Sequence, residues 1–225
     1  MGIFNIWKKI KKQEKNKESN IQILTEDGTE HDNMEMDYKK ELPKGVGYKS
    51  GWLVIEGSNQ KTIADTIFGE GYEKTTFQNG VACMEQKTMI APDYQGKNFV
   101  MGSGVETILY ELETLQEQFK AFPKVYGYVT HRVSEAHGFC LMEYGKMTRL
   151  YRQDDEELIS VGEPLPIERK LGICLPHDMD EMWDLWEDDS VTKMDEEVIM
   201  QLALSQVGVD SSQYPYEDVL IGTMK

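Results

Sequence analysis

Apart from a short stripe in the first ten residues, regular spacing of apolar residues begins only near Gly51 in this 225-residue chain, and that boundary constrains the fold more than any other feature. Residues 19–48 are rich in Asn, Glu, Asp and Lys and show little periodicity. Ordering such a segment costs backbone entropy with little apolar burial to offset it. We read residues 1–48 as a basic amphipathic tail followed by a polar linker, and residues 49–225 as one domain. A length of 225 residues fits one large domain with an appendage. Apolar residues make up 40% of the chain, including 22 aromatics, which is enough for a real core and too much for an acidic disordered protein.

Beyond the boundary, short elements of both kinds alternate. Residues 52–55 read as a buried strand. Residues 60–68 place Ile63, Ala64, Ile67 and Phe68 on one face of a short helix that stops at Gly69. Strands are expected at 81–84, 87–91 and 99–101, with a turn at Pro92-Asp93. Residues 106–122 form the clearest helix, striped by Ile108, Leu109, Leu112, Leu115, Phe119 and Phe122 and ended by Pro123. Val125, Gly127, Val129 and His131 alternate with Tyr126, Tyr128, Thr130 and Arg132, the pattern of a half-buried strand. Strands at 138–144 and 147–152 meet at a Gly145-Lys146 hairpin turn. Another strand follows at 157–161, and Pro164-Leu165-Pro166 then breaks regularity. Helices are expected at 178–187 and at 193–207. The second turns Met194, Val198, Ile199, Leu202 and Ala203 inward and stops at Gly208. No internal repeat is visible. The mixed order predicts an α+β fold: a mixed, largely antiparallel sheet packed by three or four helices, with a flexible basic N-terminal tail.

Charge is divided along the same boundary. The first 18 residues hold six lysines and two acids, whereas the whole chain has a formal net charge of −16. A body this acidic repels nucleic acid and anionic membrane, and it attracts basic partners over a Debye length of roughly 8–10 Å. In the tail, Ile3, Ile6, Trp7 and Ile10 form an apolar stripe beside lysines. This is either a solubilising tail, a helix docked on the body, or a membrane-surface contact made by Phe4, Trp7, Lys8 and Lys11. No run approaches the roughly 18–20 apolar residues of a membrane span. Residues 2–7 are apolar but precede the lysines, unlike a secretory signal, and Ile6 occupies the position where a myristoylation motif has Ser or Thr. Cys83, Cys140 and Cys174 cannot all pair and lack the spacing of a disulfide scaffold. A reducing, cytoplasmic location is expected, with the inner membrane face as the alternative.

Motifs that would carry chemistry are sparse. His131, His137 and Cys140 lie close in sequence, and Cys174-x-x-His177 has a short ligand spacing. No paired CxxC accompanies them, so neither a metal nor any cofactor is expected. Ser134 stands between His131 and His137 without a GxSxG elbow. Gly102-Ser103-Gly104 is not followed by the Lys-Ser or Lys-Thr of a phosphate loop. No catalytic residue is assigned, and a small enzyme built on His131 and His137 is the rival reading. Tyr126, Tyr128, Arg132, Tyr144, Arg149, Tyr151 and Arg152 interleave aromatics with guanidiniums, but counterion release needs a basic footprint that the overall charge opposes. The segment 178–197 holds ten acids and one basic residue, Lys193, without the glycine and ligand alternation of a calcium loop. It is either a solvated helical face or a docking surface for a basic protein. In the second case Asp180, Trp183, Asp184, Trp186, Glu187 and Asp188 are the contact residues, with Trp anchors and steering carboxylates.

One further pattern spans residues 51–220. Residues 130–139 (THRVSEAHGF) lead into a strand, residues 144–151 (YGKMTRLY) follow, then 162–168 (GEPLPIE), and finally 196–203 (EEVIMQLA) before Gly208-Val209-Asp210. This order resembles an uncharacterised family of bacterial cytoplasmic proteins often encoded beside polymorphic-toxin genes. The chain departs from that family at Phe139, where Trp is common, and at Ser211, where Pro is common. The family has no catalytic residues to transfer. The resemblance implies an accessory or immunity-like role, in which an acidic protein neutralises a basic toxin. The leading expectation is therefore a non-enzymatic binding protein that occludes its partner directly. A peripheral membrane adaptor anchored by residues 1–12 is the second expectation, and the small enzyme at His131 and His137 the third.

Overall fold

The computed structural model describes residues 50–105, 110–131, 134–154, 157–176, 178–186, 188, 190–208 and 218–225. The expected tail and linker, residues 106–109 of the expected helix, and Arg132 lie outside them. In chain order the elements are β1 (Ser50–Glu56), α1 (Gln60–Ile67), β2 (Tyr72–Thr75), α2 (Phe77–Ala82), β3 (Thr88–Ile90), β4 (Lys97–Gly102), α3 (Leu112–Phe119) and β5 (Lys124–His131). They continue with β6 (Ala136–Glu143), β7 (Lys146–Gln153), β8 (Leu158–Val161), α4 (Pro166–Leu171), α5 (Met179–Trp186), α6 (Glu196–Val207) and β9 (Val219–Gly222). The strands form one sheet in the order β2-β9-β3-β4-β1-β5-β6-β7-β8. Every adjacent pair is antiparallel. The fold is α+β, as the mixed order of elements predicts, with six helices among the described residues rather than three or four.

Local chemistry accounts for several elements. Asn59 caps α1 by accepting from the Thr62 amide, and the buried side chains Ile63, Ala64 and Ile67 recur on one face. The β6–β7 hairpin closes on Tyr144 (φ 50°) and Gly145 (φ 72°), so the turn lies one residue earlier than expected. Two successive left-handed residues match the twist of the flanking strands. A side chain at position 145 would also sit 2.7 Å from Lys120 Cα, which leaves room only for glycine.

Three differences from the sequence reading have physical causes. Residues 81–84 are not a strand: Thr76 accepts from the Asn79 amide and starts α2, whose single turn places Phe77 in the core. The long expected helix is helical only over Leu112–Phe119 among its described residues, because Glu111 has non-helical backbone angles and offers no side-chain cap. Strand β5 is not half-buried: residues 125–130 are all buried, because helices cover both faces of the sheet. On one face Trp52, Tyr126, Tyr128, Phe139 and Tyr151 pack with Phe77 of α2 and with Val198, Ile199 and Leu202 of α6. Trp52 and Tyr128 stack there at 5.3 Å between ring centroids. On the other face Leu53, Ile55, Val125, Val129 and Leu150 pack with Ile63 and Ile67 of α1 and with Leu115 and Phe119 of α3.

Candidate functional site

The acidic segment 178–197 places its carboxylates close in sequence to an exposed aromatic, Trp183. Helix α5 starts where the Asp178 carboxylate accepts from the Glu181 amide at 2.9 Å, which satisfies one open N–H and places acids at the positive end of the helix dipole. Met182 turns inward and is buried, and Asp180 and Asp184, about 160° round the helix from it, lie on the outward side. Trp183, about 100° round from Met182, flanks that side and is 50% exposed. Asp180 and Asp184, four residues apart, are exposed beside it. Asp188 is exposed as well, and its carboxylate accepts from the Ser190 amide (2.8 Å) and hydroxyl (2.6 Å). These two bonds hold its pKa below the usual value, so part of its hydrogen-bonding capacity serves the turn. The Trp186 side chain and Glu187 lie outside the described residues, as do Phe4, Trp7, Lys8 and Lys11.

Helix α6 anchors the far end of this segment. The Asp195 carboxylate caps it by accepting from the Val198 amide at 2.8 Å. Just before the cap, Met194 is buried, and its carbonyl accepts from Gln153 Nε2 at the end of β7 (3.0 Å). Nearby, the Cys174 amide donates to the Thr192 carbonyl.

The His131/His137 pair does not form one site. In the β5–β6 register Thr130 faces His137 and His131 faces Ala136, so alternation puts the two imidazoles on opposite sides of the sheet. His131 Nδ1 is hydrogen-bonded to Ser134 Oγ at 2.8 Å within the tight connection that follows β5. His137 is buried, with Nδ1 3.0 Å from Thr130 Oγ1 and Nε2 3.6 Å from a Glu135 carboxylate oxygen. Burial lowers its pKa, and the charges of Glu135, Asp195 and Glu196 oppose that shift. Cys140 lies on the face opposite His137, fully enclosed, and burial pushes its thiol up to about 12. A thiol in that state is a small core side chain rather than a nucleophile. Among the described residues no group of three or more His, Cys, Asp or Glu is placed to hold a metal ion. His177 lies outside them.

The interleaved aromatics and guanidiniums belong to the interior. Tyr126, Tyr128, Tyr151, Arg149 and Arg152 are buried, and Tyr144 alone of the described members stands out, at the hairpin tip. Arg149 instead makes the main polar contact of the core. Its Nε and Nη2 donate to the Glu168 carboxylate at 2.9–3.2 Å, and its Nη1 donates to Leu150 O, Ser160 Oγ, Val161 O and Gly162 O. Glu168 also accepts from the Leu165 amide at the head of α4 (2.8 Å). This pair ties α4 to β7 and β8. The sequence reading missed it, although Pro166 at the first helical position with Glu168 two residues later is a helix-start signal. Arg149, Gly162 and Glu168 are among the residues that carry the family resemblance, and here they hold the fold.

A sheet with helices on both faces defines an α+β protein, and one of its helices, α5, is acidic and carries an exposed Trp. No family model matches this chain, and no curated protein or solved structure matches it either. No helix among the described residues is long and apolar enough to cross a membrane.

Proposed function

We propose that this is a non-enzymatic, cytoplasmic binding protein that engages a basic protein through α5, in the manner of an immunity protein that occludes a toxin. The observation that carries the reading is Trp183, half-exposed on the flank of the outward side that Asp180 and Asp184 form, on a helix whose Met182 side is packed. Large aromatics desolvated at the centre of an interface supply much of its binding energy, while surrounding charges steer encounter and set specificity. The segment 178–197 has ten acids against one Lys, a net of −9, and so attracts a cationic partner. The family resemblance gives the same partner class.

The test is surface-plasmon kinetics against the basic protein encoded beside this gene, at two salt concentrations. Asp188 holds its own turn, so Asp180→Lys with Asp184→Lys is the cleaner charge reversal. It should slow association and flatten its salt dependence, whereas Trp183→Ala should raise the dissociation rate with little change in association. Unchanged kinetics for both variants would remove α5 from the interface. Absence of binding to the wild-type chain would remove the immunity reading.

A further inference from the structure

The buried imidazole of His137 sits under the head of α6, and three observations meet there. The ring is 1% exposed, and its Nε2 has no hydrogen-bond partner. The neighbouring strands present Thr130 and Gln153, both neutral, with Gln153 directly opposite His137 in the β6–β7 register. The charged groups that act on the ring are carboxylates: Glu135 from the β5–β6 connection, and Asp195 and Glu196 from the start of α6, whose preceding residue Met194 is bonded through its carbonyl to Gln153 opposite the ring. Glu135 has φ +46°, a left-handed conformation uncommon for such a residue, and from it the carboxylate, half-exposed to solvent, reaches 3.6 Å from Nε2, within ion-pair distance but too long for a hydrogen bond.

We infer that His137 is an acid-sensitive latch: neutral, it lets α6 close over the end of the sheet, and protonated, it loosens the first turn of that helix. A buried imidazolium needs a carboxylate in contact. It also lies at the end of α6 where the helix dipole disfavours positive charge. The carboxylate of Asp195 is already used as the cap of α6, accepting from the Val198 amide. A charged ring therefore either draws Asp195 off the cap or leaves its seat against Thr130 for Glu135 and solvent. Each path weakens the anchorage of α6 at Met194–Asp195, and with it the hold on the acidic segment that precedes the helix. The latch belongs to the fold and stands whether or not that segment docks a partner.

Hydrogen exchange on the full chain tests this. Protection of the Val198 and Ile199 amides, which bond to the Asp195 carboxylate and carbonyl, is followed from pH 7.5 to pH 5.5. Rates are corrected for intrinsic exchange chemistry. This window lies above the ordinary carboxylate range. If the opened state titrates like a free histidine near pH 6.5, wild-type protection falls by up to about tenfold at pH 5.5. His137→Gln, which retains a polar partner for Thr130 and cannot take up a proton, should show no such step. A flat wild-type profile, or an equal fall in His137→Gln, overturns the inference. Should that variant not fold, the wild-type ring is titrated by NMR: a midpoint below 6.5 supports the latch, and a midpoint at or above 6.5 overturns it.

Discussion

Replacing Glu168 by Gln isolates the energetic role of the one ion pair in the described residues that is buried on both sides. Arg149 is 0% exposed and Glu168 1%. The substitution keeps the size of the side chain and its carbonyl acceptor for the Leu165 amide, but leaves the guanidinium without its counter-charge. Arg149 would still donate through Nη1 to Leu150, Ser160, Val161 and Gly162. What is lost is the attraction that compensates desolvation, and breaking such a pair on one side costs about 3–5 kcal/mol. Against a total stability of roughly 5–15 kcal/mol this is a large fraction, equivalent to a Tm lower by roughly 6–20 °C for a body of this size. Arg149→Met should cost a similar amount. The double variant Arg149→Met/Glu168→Leu removes both charges and should stand within about 2 kcal/mol of wild type, because an apolar replacement of a buried pair is often nearly neutral. Urea unfolding followed by circular dichroism and Trp fluorescence gives the three values, and coincident transitions establish two-state behaviour. With Glu168→Leu measured as the matching single variant, the cycle it forms with Arg149→Met and the double variant should give a coupling energy of about 3 kcal/mol or more. Costs that simply add, or a loss below about 1 kcal/mol for Glu168→Gln, would refute the reasoning.

The core places further constraints. Gly162 has φ +78°, and a Cβ there would collide with the Thr148 carbonyl, so Gly162→Ala should lower stability by more than the roughly 1 kcal/mol of an ordinary left-handed glycine and be visible as a reduced urea midpoint. Cys140, whose thiol burial pushes up to about 12, should resist iodoacetamide at pH 8 in the native protein and become labelled in urea. The half-buried Cys83 and Cys174 should label first. On α5, Met182→Ala should cost about 2–5 kcal/mol, whereas Trp183→Ala should lie within about 1 kcal/mol of wild type. The reverse order in thermal melts would show that the outward face of α5 has been misassigned. A chain beginning at Tyr48 should still melt cooperatively within a few degrees of the full length, since the regular apolar spacing lies beyond that point. Loss of cooperativity would make the preceding residues part of the core.

What the sequence determines by itself is local. The α1 helix follows from a cap at Asn59 and apolar residues at helical spacing. The β6–β7 hairpin follows from a glycine between two alternating runs. The α5 and α6 helices follow from acids at their heads and Gly208 at the end of the second. Such signals act over a few residues, within the reach of side chain and backbone neighbours, and so they survive in the linear order. The acidity of 178–197 is legible in the same way, but not which of its residues face outward. Tertiary structure alone decides the rest. Strands β2 and β9 are short, and they become strands by pairing with each other, β9 also with β3, from distant parts of the chain. Whether Tyr126 and Tyr128 meet water depends on α2 and α6 covering their face, which alternation along β5 cannot report. Arg149 reads as a surface cation until α4 brings Glu168 against it. His131 and His137 are six residues apart, yet the β5–β6 register puts a sheet between them. Pairing register and layer packing are set by the summed burial of the whole domain, and no short window of sequence contains that sum.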